Sequence, residues 1–157
     1  MKTLILYAST HGTSRKVAGM IAEKISNSES MVHDLKTGNL PNLDDFDKII
    51  LGGSIHAGQM QSAVKKFGSK YHDLLLKKPL GLFIVGMEKN PSNKKMEIEN
   101  AFPETLRKHA SMIQFAGGEF LFEKMNLLQR LIIKKISNID QTVSSIDETA
   151  IAAFSEF

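Results

Sequence analysis

A chain of 157 residues, 42% apolar and 24% charged, is one domain long and has enough apolar mass for a single buried core. It has no cysteine, which excludes disulfides, thiolate nucleophiles and cysteine-ligated metal or iron–sulfur centres, and which accords with a reducing, cytoplasmic setting. The net charge of +3 is mild and the basic residues form no block interleaved with aromatics, so no nucleic-acid surface is expected.

Met1-Lys2 leads directly into an apolar run, Thr3–Tyr7, so a first strand and no secretory leader are expected. The run gives way to a hydroxyl-rich loop, Ser9-Thr10-His11-Gly12-Thr13-Ser14. Val17, Ala18, Ile21, Ala22 and Ile25 then predict a helix over Thr13–Asn27. A strand, a small-residue loop and a helix N-terminus together suit a phosphate, because the first N–H groups of a helix are free and carry partial positive charge. The four hydroxyls add donors without adding charge. Neither a Walker A sequence nor a G-x-G-x-x-G fingerprint is present. Alone, the loop has a second, plainer reading as a capping cluster that ends one element and starts the next.

Met31–Leu35 and Lys48–Leu51 are the second and third predicted strands. After the third comes a glycine-rich loop, Gly52-Gly53-Ser54-Ile55-His56-Ala57-Gly58-Gln59, suited to a sharp turn or a close approach to a flat ligand. Ser62–Leu76 follows as a helix with Val64, Phe67, Tyr71, Leu74 and Leu75 on its apolar stripe. Leu80–Val85 is the fourth strand and is succeeded by Gly86-Met87-Glu88-Lys89-Asn90-Pro91. Ser92–Ala110 has helical character that Pro103 breaks or kinks. Met112–Ala116 is the fifth strand, and Asp147–Phe157 the last helix, with Ile151, Phe154 and Phe157 inward.

The strands do not alternate polar with apolar, so they are expected to be buried on both faces, hence parallel, with helices on each side. The chain from 1 to 157 therefore reads as a single doubly wound α/β domain. In such sheets the ligand lies beyond the carboxyl ends of the strands, where the three loops converge.

Lys124–Ser137 forms a further helical pattern. Leu127, Leu131, Leu128, Ile132, Met125 and Ile136 cover one side, Asn126, Arg130, Lys134 and Ser137 lie opposite, Ile133 is at the border and Lys135 interrupts the apolar side. The apolar arc is wider than one core-facing stripe needs. Two readings stand. In one the helix packs on the sheet with its lysines snorkelling outward. In the other it offers a surface to a lipophilic quinone, a membrane interface or a partner protein.

The phosphate-type loop resembles the Ser/Thr-x-Thr-Gly-x-Thr loop of the flavodoxin family, departing from it at His11 and at Ser14. That resemblance implies a three-layer sandwich, a five-stranded parallel sheet of order 2-1-3-4-5 with helices on both faces, and FMN as cofactor. It implies that Ser9, Thr10, His11, Gly12, Thr13 and Ser14 hold the FMN phosphate. Ser54, Ile55, His56, Ala57 and Gly58, with Gly86 and Met87, would hold the ring, and a peptide near Ala57-Gly58 would reorient on reduction. Neither ring loop contains the tyrosine or phenylalanine common in the family, and the chain has no tryptophan.

Gly53-Ser54-Ile55-His56-Ala57-Gly58 with Gln61-Ser62-Ala63 and Phe67, then Gly117-Gly118-Glu119-Phe120 and Leu127–Lys135, are similar to the menaquinone-dependent protoporphyrinogen oxidases of that superfamily. This implies an FMN-dependent oxidoreductase with a quinone or a redox protein as partner. The 124–137 helix would associate peripherally with the inner face of the membrane. No acid–base pair presents itself as a catalytic group, and the five histidines lack metal-ligand spacing. Two other classes stay open, an electron carrier of the flavodoxin type without its own substrate and a flavin-free binding module.

Overall fold

The apolar runs and amphipathic stretches form an alternating series in a computed structural model that describes residues 1–25, 28–137 and 141–157. In chain order the elements are β1 (Lys2–Ala8), α1 (Thr13–Lys24), β2 (Glu29–Asp34), β3 (Lys48–His56), β4 (Gln59–Met60), α2 (Ser62–Lys70) and α3 (His72–Leu75). They continue with β5 (Leu80–Val85), α4 (Pro91–Ala101), α5 (Glu104–His109), β6 (Met112–Phe115), β7 (Glu119–Phe120), α6 (Leu127–Ser137), β8 (Val143–Ser144) and α7 (Glu148–Ala152).

The five longer strands form a parallel sheet in the order β2-β1-β3-β5-β6, which is the expected 2-1-3-4-5 order when only those strands are counted. Two additions were not legible in the sequence. The short β4 folds back antiparallel on β3, and β7 pairs with β8 in a separate ribbon.

Residues of β1 alternate between two cores. Leu4 and Leu6 join Leu51, Leu82 and Ile84 under Val64, Phe67, Leu75 and Leu106. Ile5 and Tyr7 join Ile50, Phe83 and Val85 under Val17, Ala18 and Ile21 of α1 and Ile151 and Phe154 at the C-terminal end. Both faces of the central strands are therefore covered, which explains their unbroken apolar sequence. The edge strand β2 departs from that expectation: it pairs only with β1, and its Met31 and Val32 are exposed.

Several boundaries differ from the sequence reading. The third strand runs on to His56, so Gly52 to His56 are strand and only Ala57-Gly58 make the turn. Gly52 and Gly53 serve packing there. A Cβ on Gly52 would stand 2.3 Å from the Phe83 ring, and one on Gly53 would stand 2.9 Å from Val64.

The helix expected over Ser62–Leu76 is two, divided at Tyr71 (φ −107°, ψ 21°) after the weak helix formers Gly68 and Ser69. The last helix is one turn and a half, Glu148–Ala152, prolonged by a 3₁₀ turn over Ala153–Glu156; Asp147 caps it by accepting from the Ala150 N–H. The helix expected from Lys124 begins instead at Leu127, after a 3₁₀ turn over Phe122–Lys124. The expected break at Pro103 is present, between α4 and α5. The first helix, expected to run to Asn27, ends at Lys24, where Ile25 (φ −82°, ψ 73°) leaves helical backbone; Ser26 and Asn27 lie outside the described residues.

Candidate functional site

Local sequence builds an anion-ready loop after β1. Gly12 adopts φ +95°, a left-handed turn that frees the first N–H groups of α1, and no side chain caps that helix. The Ser9 Oγ accepts from the Gly12 N–H at 2.9 Å and so shapes the loop without covering the helix end. Thr13 and Ser14 are buried in the first turn, and the Ser14 Oγ is enclosed without a hydrogen-bond partner. An enclosed, unpartnered hydroxyl costs about 1–3 kcal/mol, a cost that an anion accepting its proton would offset.

Two cations flank the loop. The Lys36 Nζ donates to the Ser9 carbonyl at 2.7 Å, and the Lys124 Nζ lies 3.5 Å from the His11 carbonyl. The uncapped helix end, the orphaned hydroxyl and the two ammonium groups all suit a phosphate, so the residues present fit one.

The end of β3 brings a second group alongside. Ala57 (φ +49°) and Gly58 (φ +73°) close the β3–β4 hairpin as a two-residue turn with both residues left-handed. That geometry prefers Asn-Gly or Gly-Gly, and an alanine carries strain in it. Gln61 is buried behind the hairpin. Its Nε2 donates to the Ser54 Oγ at 2.7 Å and to the Thr10 Oγ1 at 3.2 Å, tying the phosphate-type loop to β3. The Ser54 Oγ is in turn 3.1 Å from the His56 Nε2. The protein around the His56 ring, and then the positive charge of His11 and Lys36, push its imidazole below the usual histidine range.

A cavity of 860 Å³ opens over these groups. Ser9, His11, Thr13, Ser54, Ile55, His56, Ala57, Gly58, Gly86 and Met87 all line it. Thr10, Gly12 and Ser14 belong to the same loop but are not on the cavity wall. The far wall is apolar, made by Phe120, Met125, Ile132, Ile133, Ile136 and Val143 from the β7–β8 ribbon and α6. Thus α6 faces the cavity rather than closing on the sheet. At about 100° per residue, Gln129, Ile132, Ile133 and Ile136 share one side of α6, and Met125 lies in the extended stretch before it. Leu127, Leu128 and Leu131 lie on the other side and are 75%, 66% and 57% exposed, while Ile132 and Ile136 on the cavity side are themselves 46% and 76% exposed in this open wall. Of the two readings of this helix, packing on the sheet is the one the fold does not adopt.

The ribbon is pinned to α1 through Glu119, whose carboxylate accepts from the Lys16 Nζ at 2.7 Å and the Ser144 Oγ at 3.1 Å. A second carboxyl on the cavity wall, Glu97 of α4, has an enclosed and unpartnered Oε2. Burial first, and the Glu88 charge second, raise it above the usual carboxylate range. Sequence reasoning missed Lys36, Gln61, Glu97, Phe120, Lys124 and Val143 as wall or loop residues. Gln61, in the stretch Gln61-Ser62-Ala63, Phe120, in Gly117–Phe120, and Lys124, at the start of the 124–137 pattern, stood within segments already singled out, but nothing local marks any of them as a wall or loop contact.

A family model described as a flavodoxin domain matches residues 4–147. A protein named protoporphyrinogen IX dehydrogenase [quinone] from Leishmania major is 24% identical over 145 residues, covering 88% of this chain; the chain spans 63% of that relative's length. Among solved structures, a WrbA-like flavodoxin protein from Agrobacterium tumefaciens aligns at a TM-score of 0.59 and 19% identity, covering 99% of this chain and 93% of that one. A Fusobacterium nucleatum flavodoxin bound to flavin mononucleotide aligns at 0.54 and 11%, covering 99% and 95%. At these identities the structural likeness is one of fold.

Proposed function

The chain belongs to the flavodoxin domain family, and on that premise we propose that it is an FMN-dependent, quinone-linked oxidoreductase of the protoporphyrinogen dehydrogenase type. FMN, when bound, supplies the electron-transfer chemistry between a reduced substrate and a quinone. The protein supplies position, exclusion of water and electrostatics. Ser9, Thr10, His11, Gly12, Thr13 and Ser14 hold the phosphate, with Lys36 and Lys124 adding positive charge around it. The hairpin from Ser54 to Gly58 and the Gly86-Met87 segment hold the two sides of the ring.

The observation that carries the reading is the continuity of the cavity. It runs from the phosphate-type loop past the hairpin to the apolar wall of α6 and the ribbon. A carrier that only exchanges electrons through an exposed cofactor edge has no need of such a wall. An enzyme that takes a flat, lipophilic tetrapyrrole or a quinone does. The name of the Leishmania relative supports this substrate class. The carrier reading keeps the fold and the cofactor and differs only in lacking turnover.

No described helix is long and apolar enough to cross a membrane. The outward ridge of Leu127, Leu128 and Leu131, beside exposed Lys134 and Lys135, suits peripheral contact with an anionic bilayer, where lipophilic quinones dissolve.

Purified protein should be yellow, or should take up added FMN with quenching of its fluorescence. It should then oxidise protoporphyrinogen only when a menaquinone analogue is present. FMN uptake without turnover would leave the carrier; failure to take up FMN would sink both readings.

A further inference from the structure

Gln61 is held at the start of α2 by its own backbone, whose N–H donates to the Ser54 carbonyl at 3.3 Å. Its side-chain amide has two protons. The nearest acceptors are the Ser54 Oγ at 2.7 Å and the Thr10 Oγ1 at 3.2 Å. Once the Ser54 oxygen accepts from Gln61, its own proton is free to donate. The nearest acceptor is the His56 Nε2 at 3.1 Å. That nitrogen can accept only if it carries no proton, which places the ring proton on Nδ1.

A proton on Nε2 would make the Ser54 oxygen accept from both Gln61 and His56 and turn its own proton away from the ring. The surroundings also disfavour an imidazolium. The His11 ring lies 6.5 Å away between centroids, the Lys36 ammonium is close enough to act on His56, and both are basic.

We propose that Gln61, acting through Ser54, holds His56 in the neutral Nδ1–H tautomer, so that His56 meets the ligand of the cavity as a hydrogen-bond donor. Gln61 is then a positioning residue. It orients a ring it need not touch strongly, and through Thr10 it fixes that ring relative to the phosphate-type loop. The ligand partner is an acceptor atom, a carbonyl oxygen or unprotonated nitrogen, on a flat heteroaromatic ring. The proposed tautomer rests on contacts within the protein and needs no ligand. The donor role rests on the flavin reading above.

The test uses histidine labelled with nitrogen-15 in the ligand-free full chain and reads the two-bond proton–nitrogen pattern of each imidazole at neutral pH. His56 should show a protonated Nδ1 and an unprotonated Nε2. Gln61→Leu should shift the tautomer ratio by roughly fivefold, the effect of losing one hydrogen bond. Gln61→Glu should go further, because a carboxylate accepts the hydrogen bond of the Ser54 hydroxyl, leaving the Ser54 oxygen to accept from the ring and favouring the tautomer whose proton is on Nε2. Ser54→Ala gives an independent break in the link if a Gln61 variant folds poorly.

A wild-type pattern with Nε2 protonated, or an unchanged ratio in Gln61→Leu, overturns the proposal. FMN is then added to the wild type. A shift of the Nδ1–H signal is expected, and FMN binding without it overturns the donor role. If FMN does not bind, the flavin reading falls with the donor role, while the ligand-free spectrum still decides the tautomer.

Discussion

The Lys124 Nζ lies 3.5 Å from the His11 carbonyl oxygen, across 113 residues of chain. It is also 3.7 Å from where a Cβ on Gly12 would stand. A cation from the excursion that carries α6 thus sits at the open N-terminus of α1. Here the apolar roof of the cavity meets its anion-ready floor, so ligand charge and roof position are linked.

Lys124→Glu should weaken FMN binding by roughly tenfold, since it replaces an attraction for the phosphate by a repulsion at a partly solvated site. The loss should shrink at high salt. Lys135→Glu, on the outward side of α6, serves as control. Fluorescence titration at low and high salt checks this; equal affinities for the two variants would remove Lys124 from the site.

Ser14→Ala should separate stability from binding. The enclosed Ser14 hydroxyl has no partner in the ligand-free protein, so its removal should stabilise the apoprotein by about 1 kcal/mol in urea unfolding. The same change should lower FMN affinity several-fold, by the worth of one hydrogen bond to a charged acceptor. A less stable variant with unchanged affinity would show that the hydroxyl serves the fold.

Ala57→Gly should relieve the left-handed strain at φ +49°. The gain of about 1–2 kcal/mol for the conformation is partly cancelled by glycine's greater chain entropy, leaving a stabilisation of about 0.5 kcal/mol. Replacement by valine should cost more than that and loosen the hairpin beside His56. Chemical denaturation of the three forms gives the order Gly, Ala, Val; a reversal would mean that neighbouring contacts outweigh the turn.

Glu97 sets a pH dependence. Its carboxyl is raised in the fold by burial and by Glu88, so the folded chain keeps a proton that the unfolded chain releases near the ordinary value of 4.5. The stability this confers is complete below that value and is lost as pH rises through the raised folded value. Glu97→Gln stays neutral throughout. Its unfolding free energy should therefore fall less than that of the wild type as pH increases from acid to neutral. Parallel curves would show the carboxyl to be solvated.

Lys134→Glu with Lys135→Glu should abolish co-sedimentation with anionic liposomes. Each basic residue near such a surface contributes about 1 kcal/mol, so reversing two removes at least about 2 kcal/mol from a weak, reversible association. Neutral liposomes should bind neither form. Identical sedimentation of wild type and variant would end the membrane reading.

The parallel sheet was legible because its causes are local, whereas its order was supplied by the resemblance of the loops to a known family. Uninterrupted apolar runs such as Leu80–Val85 demand burial on both faces, and the helical patterns between them demand right-handed crossovers. The hydroxyl-rich loop before α1 was legible for the same reason. Less legible were the elements whose cause lies elsewhere in the chain. The glycines at 52 and 53 looked like a loop, but they are strand residues made small by Phe83 and Val64. The apolar breadth of 124–137 was visible, yet periodicity does not say which side turns to the cavity and which to solvent.

The sequence by itself determined the alternating layers and the loop that suits a phosphate, since these follow from backbone propensity and burial pattern within each segment; the strand order came from the family resemblance of the loops. The tertiary structure alone decided the chemistry around that loop. It brought Lys124 to His11, Gln61 to both Thr10 and Ser54, and Glu97 into the cavity wall. Hydrogen bonds and charges act over a few ångströms of space, whatever the separation along the chain, and only the packed fold sets those distances.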